Sequence, residues 1–128
     1  MKSTDLLFLG ASSCLPRVGD DTASFLVGGE ILIDTGWNVL NNLRQSGVDP
    51  QSVRHLIFTH MHHDHMMSLP AFLYSHITRG GSPPALTVYG PRETVERPVR
   101  DALAFLQADE YWPWLSLPCI RQLEPRES

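Results

Sequence analysis

His60-Met61-His62-His63-Asp64-His65 places four side chains able to bind a divalent ion, His60, His62, Asp64 and His65, within six residues. Imidazole nitrogens and a carboxylate oxygen suit zinc, or another first-row ion such as manganese, better than calcium or magnesium. In extended chain His60 and His62 project to the same side and can pinch one ion. Asp64 and His65 are adjacent, so a turn must intervene before both face a common point. Four ligands from so short a stretch rarely wrap one tetrahedral centre, which favours a second ion beside the first. A water bridging two such ions would serve hydrolysis, because zinc lowers the pKa of bound water to about 7. His63 lies between the ligands and is expected to point away into solvent. Unlike a purification tag, the motif has an interleaved Asp64 and follows an apolar strand.

That strand is His55-Leu56-Ile57-Phe58-Thr59, whose near-continuous apolar run predicts burial on both faces within a helix-covered sheet. Upstream, Leu6 to Leu9 reads as a first strand ended by Gly10, and Ala11 to Asp21 as a loop in which Cys14 is a bystander thiol. Ala23 to Val27 and Ile31 to Ile33 form a hairpin through Gly28-Gly29-Glu30 and end at Asp34-Thr35-Gly36. Trp37 to Ser46 suits a helix stopped by Gly47, with Val39, Leu40 and Leu43 on one side. Asp49-Pro50 then starts one short turn.

Beyond the motif, Ser68 is positioned to cap a helix running through His76, with Pro70 tolerated in its first turn. Leu69, Phe72, Leu73 and His76 share one face, which makes His76 a packed histidine rather than a ligand. Arg79 to Pro84 reads as loop, Ala85 to Tyr89 as strand and Gly90-Pro91 as turn. Pro98 is expected to split the segment that begins at Arg92. Val99, Ala102, Leu103 and Leu106 then line a helical face. The aromatic stretch Tyr111 to Pro118 is read as cover for the core, and Ile120 to Leu123 as the start of a strand.

Length and composition bound the answer. A chain of 128 residues forms one domain with a modest core, and 42% hydrophobic against 19% charged residues is ordinary for a globular protein. A net charge of −4 argues against a strongly basic nucleic-acid surface. Cys14 and Cys119 form no Cys-x-x-Cys pair, as expected in a reducing compartment. With neither a secretory signal nor a membrane-length apolar run, a cytoplasmic location is expected.

The pattern His-x-His-x-Asp-His after an apolar strand ending in Thr59 resembles the signature of the metallo-β-lactamase superfamily. Leu7-Phe8-Leu9-Gly10, Ile33-Asp34-Thr35-Gly36, Ser68-Leu69-Pro70 and Val88-Tyr89-Gly90-Pro91 follow in an order and spacing similar to the ribonuclease Z branch, over residues 5 to 106. Two departures are Ala11-Ser12 in place of a second early glycine, and His63 in place of the glycine common in the motif. The resemblance implies an α/β fold, the amino-terminal half of an αββα sandwich. It also implies that Asp34 supports the metal-binding loop from beneath, and that Asp64 doubles as a catalytic residue orienting the attacking water.

The implied activity is phosphodiester hydrolysis, on RNA in the best-known case of tRNA 3′ processing. Lactone, thioester or β-lactam hydrolysis remain alternatives, because this fold hosts many chemistries. Superfamily members complete their sites with a third histidine, a bridging carboxylate and a further histidine from later in the chain. Nothing after His65 matches these. A single partial domain truncated at its carboxyl end is therefore expected, with an apolar open face that invites homodimerisation. A small dimeric module or a non-catalytic metal-binding remnant are the competing expectations.

Overall fold

The computed structural model describes residues 2, 4–78, 85–114 and 118–126. Six strands form one mixed sheet in chain order: β1 (Leu6–Gly10), β2 (Ser24–Val27), β3 (Ile31–Ile33), β4 (His55–Ile57), β5 (Thr87–Pro91) and β6 (Cys119–Leu123). β1, β2 and β3 pair antiparallel, whereas β3 to β6 run parallel. The change of direction follows from the connections. Gly28 and Gly29, both at positive φ, allow the tight β2–β3 turn, while the parallel strands are linked through helices. These helices are α1 (Val39–Gln45), α2 (His63–Met66), α3 (Leu69–Thr78), α4 (Glu96–Phe105) and α5 (Ala108–Tyr111). A 3₁₀ turn at Pro50–Ser52 precedes β4, and the Asp49 carboxylate accepts from the Gln51 N–H at its start, as the Asp-Pro pair predicts.

Alternation along the strands separates the two faces of the sheet. Leu7, Leu26, Leu32, Leu56, Val88 and Ile120 are register partners in one row. The central members of that row join Val39, Leu43, Phe72, Leu73, Val99 and Leu103 in the buried core. The opposite face carries Phe8, Phe25, Ile33, Ile57 and Tyr89 in the corresponding row, and there Phe8 is 68% exposed. This corrects the expectation of a strand buried on both faces. Leu56 and Phe58 are buried, but among the described residues no helix packs over His55 and Ile57, which are half-buried. His55 takes a structural role on that side, its Nδ1 lying 3.2 Å from the Tyr89 hydroxyl.

Other expectations shift for local reasons. Pro98 does not split its segment, because α4 begins at Glu96 and the proline falls in the first turn, where an N–H has no intrahelical partner. Gly90 and Pro91 are not a turn but the end of β5, paired with Gln122 and Leu123. Residues 79–84 and 115–117, expected as loop and as part of the aromatic cover, lie outside the described residues. Within that aromatic stretch Trp112 packs edge-on to Tyr74, whereas Trp114 is 75% exposed. Among the described residues no helix is long and apolar enough to cross a membrane.

His76 is buried on α3, its ring nitrogens each 3.3 Å from the carbonyls of Phe72 and Val53. Burial lowers its pKa, against the opposing pull of those carbonyls and of Asp49. The unfolded chain therefore takes up this proton first as the pH falls below about 6.5. The stabilising contribution is complete above that value and is lost as the pH falls towards the folded one. Chemical denaturation at about pH 7.5 and about pH 5.5 is expected to show a larger loss of stability in the parent protein than in His76→Gln.

Candidate metal centre

Asp34 sits where β3 ends beside β4, and its N–H donates to the Ile57 carbonyl. Its backbone adopts φ +54°, a left-handed conformation that Asp tolerates better than most residues. The residue is 4% exposed and both carboxylate oxygens are used. It accepts hydrogen bonds from the Thr59 N–H (2.9 Å), the Thr59 hydroxyl (2.7 Å) and His65 Nδ1 (2.8 Å). One carboxylate thus ties the end of the strand before the motif to the last residue of the motif.

The turn required between His62 and His65 is the single helical turn α2, which His62 opens in extended conformation. Its position is set from outside: the Thr35 N–H and hydroxyl both donate to the His65 carbonyl, at 2.8 and 3.1 Å. The motif folds back on itself as a result. The His60 ring centroid lies 4.4 Å from that of His62 and 4.2 Å from that of His65. His65 Nε2 lies 3.3 Å from Asp64 Oδ2. His60 is therefore brought beside His62 and His65, and His65 beside Asp64, while His63 is exposed.

Proton positions follow from the partners. The Thr59 hydroxyl has one hydrogen, donated to Asp34, so at 2.9 Å it accepts from His60 Nδ1–H. His65 likewise donates Nδ1–H to Asp34. Asp34 sets both tautomers, one directly and one relayed through Thr59, and both rings keep an Nε2 lone pair. On His65 that lone pair faces a carboxylate oxygen of Asp64 at 3.3 Å. Two acceptors facing one another need a cation between them, either a ring proton or a metal ion. The separation matches two neighbouring ligands on a tetrahedral ion with bonds of about 2.0–2.2 Å.

For His65 with Asp64 the donor chemistry and spacing thus fit two ligands of a divalent ion. Among the described residues no group of three or more His, Cys, Asp or Glu side chains is arranged so that it could hold a metal ion. Sequence reasoning overlooked two polar residues of this corner. Thr59 precedes the motif, but its relay exists only because β3 lies beside β4. Ser68 was expected to cap α3; its hydroxyl instead donates to the Thr35 carbonyl and accepts from the Val39 N–H, joining the turn after β3 to the motif.

The sheet order and the histidine-rich turn at the end of a parallel strand accord with about half of a metallo-β-lactamase fold, as in the solved structures that match this chain. The family model for the metallo-β-lactamase superfamily matches residues 17–118, and the chain belongs to that superfamily. It is 34% identical over 94 residues to ribonuclease Z of Methanococcus maripaludis, covering 71% of this chain and 30% of that protein. It is 38% identical over 65 residues to ribonuclease Z of Latilactobacillus sakei, covering 51% and 20% respectively. Among solved structures, human tRNase Z, short form, matches with a TM-score of 0.68 at 22% identity, over 94% of this chain and 46% of that one. The metallo-β-lactamase fold protein YhfI of Bacillus subtilis matches at 0.67 and 21%, over 94% and 45%. The chain thus spans under half the length of these proteins, and the structural likeness at such identity concerns the fold alone.

Proposed function

We propose that the protein supplies the metal-binding corner of a metal-dependent phosphodiesterase of the ribonuclease Z type. The observation that carries this reading is the pair of acceptors His65 Nε2 and Asp64 Oδ2 facing each other at 3.3 Å, with Asp34 holding the ring from behind. His60 and His62 would hold one ion and Asp64 with His65 a second, zinc in the first instance and manganese as the alternative. When bound, such ions supply an acidified water for attack on phosphorus and positive charge to offset the developing oxyanion. Asp64 would orient that water, and Asp34 and Thr59 keep the imidazole lone pairs facing the ions. The relatives named ribonuclease Z support RNA as the substrate class.

An assay of a chromogenic phosphodiester, a lactone and a β-lactam, each with added zinc or manganese, tests the reading. Activity confined to the phosphodiester is the expected result. Selective turnover of the lactone or β-lactam would replace it with acyl hydrolysis. Metal uptake without turnover of any substrate would favour a binding module.

The relay makes its own prediction. Thr59→Val keeps the shape of the side chain but deletes the hydroxyl between Asp34 and His60 Nδ1. Zinc affinity measured by chelator competition is expected to fall by about tenfold, the lower end for outer-shell partners. Unchanged affinity would show that the His60 tautomer is set by something else.

A further inference from the structure

Asp21 stands outside every motif and reads in sequence as half of a loop Asp-Asp pair, yet it is 2% exposed. Its carboxylate accepts four hydrogen bonds from nitrogen donors. Oδ1 takes the N–H groups of Thr22 (2.7 Å) and Trp37 (2.8 Å), and Oδ2 takes the Asn38 N–H (2.9 Å) and Asn42 Nδ2 (2.8 Å). Three of these donors belong to the stretch just after Asp34-Thr35-Gly36. Gly36 leaves room for the carboxylate: at φ +58°, a Cβ there would lie 2.8 Å from Asp21 Oδ1. A buried carboxylate surrounded by backbone donors fixes the chain that offers them, since each donor left unmet there is costly.

The far side of the same turn grips the metal corner. Thr35 donates twice to the His65 carbonyl, the Gly36 carbonyl accepts from the Ser68 N–H at 3.1 Å, and the Ser68 hydroxyl donates to the Thr35 carbonyl at 2.9 Å. The turn over residues 35–38 is therefore clasped between Asp21 and the segment 65–68. We infer that Asp21 is a positioning residue: it sets the place of His65 through this turn, without touching the motif. The inference rests on the metal-centre reading for its consequence, but not for its geometry.

The test is Asp21→Asn, which keeps the volume but puts an N–H group against two of the four donors. Two readouts are used. Zinc affinity is measured by chelator competition, at a temperature where circular dichroism shows both proteins folded. The His65 Nδ1–H resonance is followed by NMR in metal-free protein, because that proton is held by Asp34 only while the turn keeps His65 in place. The expected result is about a tenfold weaker zinc affinity, as for other outer-shell changes, and a shifted or exchange-broadened His65 resonance. A folded Asp21→Asn with both readouts unchanged would overturn the inference. Should Asp21→Asn not fold, Asn42→Ala, which removes one donor and leaves the carboxylate, must move the same resonance in the same direction; no movement overturns the inference equally. If the parent protein itself binds no zinc, the metal reading fails, and the resonance alone decides the role of Asp21.

Discussion

Replacing His60 and His62 together by alanine is expected to remove the divalent-ion binding proposed for that pair, and with it any metal-dependent hydrolysis. The two rings sit edge to face, 4.4 Å apart between centroids, on a partly buried and an exposed residue. The fold gains little from them. His60 makes one hydrogen bond, to Thr59, so the double substitution should cost no more than about 1 kcal/mol. Ion binding contributes far more: a ligand at a hundredfold excess over its Kd stabilises by about 2.7 kcal/mol. Thermal unfolding with and without zinc separates the two effects. The parent melting temperature should rise with zinc, and that of the double variant should rise much less. A variant that keeps the full zinc-induced rise would show that the ions sit elsewhere.

The second large effect is at Asp34, and two substitutions there are expected to behave differently. Asp34→Ala removes the shared acceptor of three partly buried hydrogen bonds, from the Thr59 N–H, the Thr59 hydroxyl and His65 Nδ1, and leaves a residue at φ +54° with nothing to hold it there. A loss of about 3 kcal/mol is expected. Asp34→Asn fits the space and tolerates the conformation, so most of the stability should survive. Its amide group, however, cannot accept from His65 or from Thr59 at the oxygen position they share. The proton on His65 must then move to Nε2, and through Thr59 the same inversion reaches His60. Lone pairs that faced the candidate ions would be replaced by N–H groups. Zinc affinity should therefore fall by about 10- to 100-fold in Asp34→Asn, with a melting temperature close to the parent's. Equal zinc affinity in parent and Asp34→Asn, measured by chelator competition, would remove Asp34 from the site.

The local features of this fold were legible in the sequence because each has a local cause. Gly28-Gly29-Glu30 turns the hairpin, Asp49-Pro50 opens the 3₁₀ turn, and the Leu69, Phe72, Leu73, His76 spacing marks the buried face of α3. The four donors of the motif are likewise local, lying within six residues of each other. What escaped depends on neighbours distant in the chain. The resemblance named Asp34 as the support beneath the motif but not its partners: it meets Thr59 and His65 across 25 and 31 positions, and Ser68 meets Thr35 across 33. Only the parallel pairing of β3 with β4 reveals those contacts. Pro98 was misread because its effect depends on where α4 begins, and the apolar run at β4 because it resembles a strand covered on both faces. Asp21 gave no sign at all, since a buried carboxylate in a loop looks like a solvated one until its donors are known.

A zinc titration against a chromogenic chelator, run on the parent protein and on a variant with His60, His62, Asp64 and His65 all replaced by alanine, tests the central claim most directly. The parent is expected to take zinc from the chelator, up to about two ions per chain in a two-metal site, and the quadruple variant none. A parent that leaves the chelator fully loaded, or a variant that competes as well as the parent, would contradict the account.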